Sequence, residues 1–134
     1  MRTGKLEVDT TGPLVTNVTE QVQSWAADLE GDGLLHLFLP HATAGLALME
    51  TGTGSEQDLV GAMERILPRH DRYNHSHGYV VHGRDHLVPV LVAPSLILPV
   101  HDGELVLGTY QSVVVIDPNR DNNHRTVILS YLQD

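Results

Sequence analysis

The sequence contains no cysteine. This absence excludes disulfide bonds, thiolate nucleophiles and cysteine-ligated zinc, so any metal ion would have to be bound by histidine or carboxylate ligands. Positive charge is also scarce, because eight lysines and arginines face seventeen acidic residues and the formal net charge is −9. Nucleic-acid binders draw most of their affinity from cations placed at phosphates, so we expect no nucleic-acid partner.

Long apolar runs are missing as well. No stretch approaches the roughly 18 residues that cross a membrane, and Met1–Val8 contains no apolar signal-peptide core. We therefore expect a cytoplasmic protein with no membrane partner. Its 134 residues, of which 41% are hydrophobic, are enough to bury a core, and residues 1–134 are predicted to form a single domain.

The sequence predicts a hairpin within Ser95–Gln111. Two apolar runs there are joined by Asp102-Gly103, and a two-residue Asp-Gly loop is typical of a type I′ turn, in which both residues have positive φ. The polar residues Thr109, Tyr110 and Gln111 end this apolar pattern, where a site could lie.

The rest of the chain alternates strand and helix patterns. Period-two alternation over residues 5–10 predicts an edge strand, and the apolar run 34–39 predicts a buried central strand carrying His36. Apolar residues at helical spacing predict two helices, one beginning near Asn17 and one between Ser55 and Pro68 with Leu59, Met63 and Ile66 buried. Further strands are predicted at residues 78–82, 86–92, 109–116 and 124–131. This order predicts an α+β domain on a mostly antiparallel sheet.

Several spaced motifs resemble those of the YjbQ family (UPF0047). They are His41-Ala-Thr-Ala-Gly-Leu46, Tyr73-x-His75, Asp85-His86-Leu87, the hairpin ending Gly108-Thr-Tyr-Gln111, and Arg125. Three positions depart from the family pattern, because Met49 stands where members usually have Asn, Val88 where they have Lys, and Tyr110 where they have Trp. The resemblance implies a half-barrel-like sheet with two helices and a homotrimer with sites near the subunit boundaries.

The resemblance also implies an activity, that of a secondary thiamine-phosphate synthase. This transferase joins a pyrimidine-methyl diphosphate to a thiazole phosphate with loss of diphosphate, so the expected partner is a small phosphorylated molecule. The residues that the resemblance assigns to catalysis are His41, Glu50, His86 and Gln111. Substrate binding is expected from Thr43, Thr109 and Arg125.

Two chemistries fit His41, His75 and His86. Three imidazoles without cysteine are a familiar zinc set that leaves one coordination position open for water. The same side chains could instead hold and protonate a phosphate leaving group, with Arg125 as a bidentate partner. The expected cofactor is a divalent metal ion, either zinc or magnesium. No role is predicted for the other histidines, at positions 36, 70, 77, 82, 101 and 124.

Two other classes of function stay open at this stage. One is a non-catalytic trimer that binds a metal or a small anion, and the other is a metal-dependent hydrolase of phosphate esters. An enzyme needs its histidines arranged around an open position, whereas a binding module tolerates their replacement by Asn or Gln. The loop 117–125 could align Asp117 with the acidic residue of the family pattern, and either Arg120 or Arg125 with its arginine.

Overall fold

The computed structural model describes residues 1–75, 82–120 and 122–134. Within these residues eight strands and three α-helices follow one another, with a 3₁₀ helix, Gly83–Leu87, directly before the third α-helix. The strands are β1 (Arg2–Asp9), β2 (Val15–Asn17), β3 (Asp32–Phe38), β4 (Gly45–Met49), β5 (Ser95–His101), β6 (Glu104–Leu105), β7 (Ser112–Ile116) and β8 (His124–Gln133). The α-helices are α1 (Thr19–Ala26), α2 (Ser55–Ile66) and α3 (Val88–Leu91).

The strands form two antiparallel sheets. The larger has the order β1-β8-β3-β5-β6 and the smaller the order β2-β7-β4. The predicted edge strand is therefore confirmed as β1, and the predicted central strand as β3, which lies between β8 and β5. Together the elements make an α+β fold, as the sequence pattern predicts, with an antiparallel half-barrel sheet, as the family resemblance implies.

The predicted hairpin is confirmed in detail. Its turn residues Asp102 and Gly103 have φ values of 43° and 82°, and His101 pairs directly with Glu104. Both values are positive, as the type I′ turn requires. Asp102 also contacts a neighbouring loop, because its carboxylate accepts a hydrogen bond of 2.8 Å from the backbone N–H of Gly31.

Strand β7 of the smaller sheet packs against two hydrophobic cores, one on each of its faces. Val113 and Val115 belong to the large core with α1 and the inner face of the larger sheet, while Val114 and Ile116 belong to a second core with Met63 of α2. Successive side chains of a strand point to opposite faces, so a strand covered on both sides reads as a continuous apolar run.

The prediction of a strand at residues 86–92 is wrong. His86 and Leu87 end the 3₁₀ helix, and Val88–Leu91 is helical, with the Val92 N–H donating to the Val88 carbonyl over 2.8 Å. Pro89 lies in the first turn of α3, where its missing N–H costs nothing. The expected two helices are therefore three. Of the strand predicted at 78–82, residues 78–81 lie outside the described residues, and His82 directly precedes the 3₁₀ helix.

The buried stripe of α2 is shifted from its predicted position. Met63 is buried and Leu59 packs against the same core, but Ile66 is 63% exposed and Leu67 is buried in its place. Leu67 lies four residues after Met63, and its N–H donates to the Met63 carbonyl over 2.8 Å, so the buried row continues through Leu59, Met63 and Leu67. None of the described helices is long and apolar enough to cross a membrane.

Candidate metal centre

Three histidine side chains, His75, His82 and His86, converge beside the 3₁₀ helix, and we call them the histidine cluster. One nitrogen of each ring lies within 4.8 Å of one nitrogen of the other two. The Nε2 atoms of His82 and His86 are 2.9 Å apart. The ring of His75 lies 4.2 Å from that of His86 and 5.3 Å from that of His82, measured between centroids. Such a group of imidazoles could hold a metal ion.

Gly83 allows the loop that carries His75 to approach the 3₁₀ helix. A Cβ at position 83 would lie 2.7 Å from the carbonyl oxygen of His75 and 2.8 Å from Cβ of Tyr73, distances that no ordinary side chain tolerates. The loop is also held at its start, where the Tyr73 hydroxyl donates to the Pro68 carbonyl over 2.7 Å. A glycine and a tyrosine therefore bring His75 to the other two histidines.

A buried carboxylate lies behind the cluster. Asp85 is completely buried, and its Oδ2 atom lies 3.9 Å from Nδ1 of His82. Its Oδ1 atom faces two guanidinium groups, with Arg84 Nε at 3.2 Å and Arg69 Nη1 at 3.4 Å. Burial lowers the pKa of the Arg84 guanidinium, and the like charge of Arg69 lowers it further, against the attraction of Asp85. One carboxylate is thus shared by two arginines and a histidine.

His41 lies outside the histidine cluster but close enough to His86 for the two rings to interact electrostatically. The backbone N–H of Thr43 donates to Nδ1 of His41 over 3.2 Å. Since that nitrogen accepts a proton donor, the neutral ring carries its own proton on Nε2. Burial lowers the pKa of His41 and the positive charge of Arg125 lowers it further, so His41 is a neutral donor near pH 7.

Behind His41 a buried polar chain runs to the larger sheet. The Thr43 hydroxyl accepts from the Asn119 amide over 3.2 Å, and the Asn119 N–H donates to Asp117 over 3.0 Å. Asp117 also forms a close ion pair, in which its Oδ2 lies 2.7 Å from Arg125 Nε. Arg125, expected to bind substrate, is 1% exposed and is held by this carboxylate.

The remaining predicted site residues lie at the far end of the smaller sheet. His41 and Thr43 precede β4, whereas Glu50 directly follows it. Gln111 directly precedes β7, and the start of β7 pairs with the end of β4. The five residues of β4 separate these two ends by about 13 Å. Thr109, Tyr110 and Gln111 form an exposed turn, in which the Gln111 side chain accepts from the Gly108 N–H over 2.8 Å. One chain does not bring Glu50, Thr109 and Gln111 to the histidine cluster.

His82 is the residue of the cluster that the sequence reasoning missed. The structure groups His75 and His86 with His82, where His41 was expected as the third metal ligand. A His-x-x-x-His spacing places both side chains on one face of a helix, and this is the signal that could have found His82. For this segment the sequence pattern predicts a pair of strands around a turn, whereas the structure has helical turns. His77, also unassigned, lies outside the described residues.

Comparisons with known proteins agree on one family. The family model described as UPF0047 protein YjbQ-like matches residues 4–134. UPF0047 protein Rv2556c of Mycobacterium tuberculosis is 48% identical over 133 residues, covering 99% of each chain, and UPF0047 protein YjbQ of Escherichia coli O157:H7 is 31% identical over 99 residues, covering 72% of each.

Two solved structures show the same fold over nearly the whole chain. The hypothetical protein APE1520 from Aeropyrum pernix K1 has a TM-score of 0.89 at 30% identity and covers all of both chains. The conserved hypothetical protein TT1486 from Thermus thermophilus has a TM-score of 0.82 at 31% identity, covering 96% of this chain and 99% of that one. The fold, the motifs and these relatives together show that the chain belongs to the UPF0047 YjbQ-like family.

Proposed function

We propose that this protein binds a divalent metal ion at the histidine cluster and acts there on a phosphorylated small molecule. The observation that carries the proposal is the convergence of three imidazole nitrogens within 4.8 Å of one another in a chain without cysteine. Structural zinc sites close all four coordination positions, whereas catalytic ones keep three protein ligands and one open position. Three histidines match the second kind.

The donor set favours zinc over magnesium. Imidazole nitrogens suit zinc, whereas magnesium prefers carboxylate and water oxygens. Two nitrogens bound to one tetrahedral zinc ion lie about 3.3 Å apart, given bonds of about 2.0 to 2.1 Å. The Nε2 atoms of His82 and His86 are 2.9 Å apart. A shift of a few tenths of an ångström would therefore let both bind the same ion.

Within this class, the reaction that we propose first is the condensation that the family resemblance implies, that of a thiamine-phosphate synthase. The thiazole nitrogen attacks the methylene carbon of the pyrimidine-methyl diphosphate, and the carbon–oxygen bond breaks with its electron pair leaving on diphosphate. A divalent ion at the cluster would supply charge stabilisation for that leaving group. His41, as a neutral Nε2–H donor beside the cluster, would hydrogen-bond a diphosphate oxygen.

The first test combines metal analysis with an assay of condensation. Protein prepared without a histidine tag is analysed for zinc and assayed with the two phosphorylated precursors, alongside His82→Ala and His86→Ala. We expect about one zinc per chain, lost in both variants together with product formation, and no loss in the matched control His70→Ala, an exposed loop histidine. Absence of metal from the wild-type protein, after supply of zinc, would overturn the proposal.

A metal-dependent hydrolase of phosphate esters is the second candidate. It is favoured by the same three-histidine set, because an open position admits water and a bound zinc ion lowers the pKa of that water to about 7. Zinc binding with phosphate-ester cleavage and without condensation would support it. Zinc binding with neither activity would support the third possibility, a non-catalytic trimeric binder of metal or anions.

We also propose that the chain works as a homotrimer. The outer face of the larger sheet carries exposed apolar side chains on three neighbouring strands, with Leu34 48%, Ile97 59% and Leu132 54% exposed. Leu34 pairs directly with Leu132, and Ile97 lies on the neighbouring strand opposite His36, two residues along from the partner of Leu34. Association could also bring Glu50 and Gln111 of one copy to the histidine cluster of the next.

Light scattering after size exclusion tests this assembly. We expect a wild-type mass of three chains and a smaller mass for Ile97→Glu, which puts a charge in the apolar face. The matched control is Val90→Glu on α3, which is 77% exposed and lies outside the sheet. A monomeric wild-type protein would overturn the trimer.

A further inference from the structure

A cavity of about 610 Å³ lies next to the 3₁₀ helix that carries His86. Its walls come from residues 10–14, α2, the loop after α2, the 3₁₀ helix, and residues 117–120 and 123, and they include Arg69, Arg84 and Arg120. The chain has only eight lysines and arginines and a net charge of −9, yet three of the eight line this one cavity. Ligand cavities typically measure about 300 to 1,000 Å³, so this one has the size of a small-molecule site.

Among the described residues, the arginines around this cavity outnumber the carboxylates that are paired with them. Arg69 and Arg84 share one carboxylate, that of Asp85. Asp117, which also lines the cavity, is paired with a further arginine, Arg125, at 2.7 Å. Glu64 is the remaining acidic residue in the described part of the wall; it is exposed, its charge attracts the Arg84 guanidinium, and it accepts a hydrogen bond from the Arg69 backbone N–H over 3.1 Å.

Arg120 adds a third guanidinium to the cavity wall. It is exposed, and no ion pair within 4.0 Å joins it to an acidic group in the described part of the chain. Guanidinium groups present paired N–H donors that match two oxygens of a phosphate. Their excess positive charge inside a cavity of an otherwise acidic protein favours an anion there.

From these observations we propose that the cavity binds the phosphate group of a phosphorylated small molecule through Arg69, Arg84 and Arg120. The proposal deepens the proposed function and rests on it for the identity of the molecule, but phosphate binding itself does not require the metal ion. The two sites are adjacent, because Asp85 contacts Arg69 and Arg84 of the cavity and also lies 3.9 Å from His82. A molecule anchored by its phosphate in the cavity would thus be held beside the histidine cluster.

The test is isothermal titration of metal-free protein with inorganic phosphate and, separately, with phenyl phosphate. Arg69→Gln and Arg120→Gln remove cavity guanidinium groups without emptying the core, since neither side chain is fully buried. Each is expected to weaken binding of phenyl phosphate at least tenfold. The matched control is Arg65→Gln, an exposed arginine of α2 that does not line the cavity, and it should bind as tightly as the wild type.

The outcomes separate this proposal from the proposed function. Binding of phenyl phosphate that is retained in His86→Ala but lost in the cavity variants would support the cavity site whether or not the chain binds zinc. No binding to the wild type, or an equal loss in Arg65→Gln, would overturn it while leaving the metal centre untouched. Binding of inorganic phosphate alone would overturn the assignment to a phosphorylated molecule and indicate free phosphate as the ligand.

Discussion

The Oδ2 atom of Asp85 lies 3.9 Å from Nδ1 of His82, on the opposite side of the imidazole from the Nε2 atom that approaches His86. Nδ1 of His82 therefore faces a completely buried carboxylate, whereas Nε2 faces the histidine cluster. In metal sites, a carboxylate behind a ligating histidine fixes the orientation of the ring and raises its basicity. The described residues thus contain both the candidate ligands and the group that would support one of them.

Replacement of Asp85 by Asn should weaken zinc binding. Loss of such a carboxylate typically lowers metal affinity by about 10- to 100-fold, and competition with a chromophoric chelator measures the change directly. The matched control is Asp58→Asn on the exposed side of α2, which makes the same change of charge away from the cluster. Unchanged zinc affinity in a folded Asp85→Asn protein would show that this carboxylate does not support the cluster.

Replacement of Arg125 by Met should strongly destabilise the fold. It removes the guanidinium 2.7 Å from Asp117 and leaves that carboxylate buried without its cation. Breaking a buried ion pair in this way costs about 3 to 5 kcal/mol. Urea denaturation gives the free energy of unfolding. Arg65→Met, at an exposed position, should change it by less than about 0.5 kcal/mol. Similar stabilities for the two variants would contradict a structural role for Arg125.

Replacement of two glycines by alanine should change the free energy of unfolding in opposite directions. A Cβ at Gly45 would lie 2.0 Å from the carbonyl oxygen of Val92, a backbone atom that cannot easily move aside. Gly45→Ala should therefore lower the free energy of unfolding by at least about 1 to 3 kcal/mol. Gly61 is within α2, and its Cβ would meet only the flexible Arg65 side chain at 3.3 Å. Gly61→Ala should stabilise by up to about 1 kcal/mol through helix propensity. Thermal or urea unfolding of the pair tests both signs, and equal shifts would contradict this packing.

The parts of the fold that the sequence predicted correctly depend on local signals. Asp102-Gly103 specifies its turn through backbone conformations that few other residues adopt, and the hairpin around it was predicted with its two strands. The helical stripe of α2 was predicted for the same reason, except that Leu67, four residues after Met63, takes the last buried position in place of Ile66. Signals of this kind are contained within a few neighbouring residues.

The composition of the site could not be predicted in the same way. Val88–Leu91 is rich in β-branched and apolar residues, so the run reads as a strand, and only Pro89 in its first turn indicates a helix. That error concealed the helical spacing of His82 and His86. His75 reaches them through the contact of its loop with Gly83, which depends on tertiary packing and leaves no pattern in the sequence.

The exposed pair of His101 and Asp32 should report the pH dependence of one surface interaction. The carboxylate of Asp32 hydrogen-bonds the ring and attracts its charged form, and Asp102 adds to the attraction, so the pKa of His101 lies above its ordinary value of 6.5. The protonated ring is thus favoured in the folded state. Its stabilisation is complete below pH 6.5, the unfolded value, and is lost as the pH rises through the folded pKa.

Titration of the imidazole protons by NMR measures this pKa. Asp32→Asn should move the pKa of His101 down towards 6.5, because it removes both the hydrogen bond to a charged group and the nearest negative charge. Asp28→Asn, another exposed aspartate, takes no part in these interactions and should leave it unchanged. If the two variants gave the same pKa, the general negative charge of the protein would be responsible rather than Asp32. Because both partners are mostly exposed, added salt should reduce the difference between the variants.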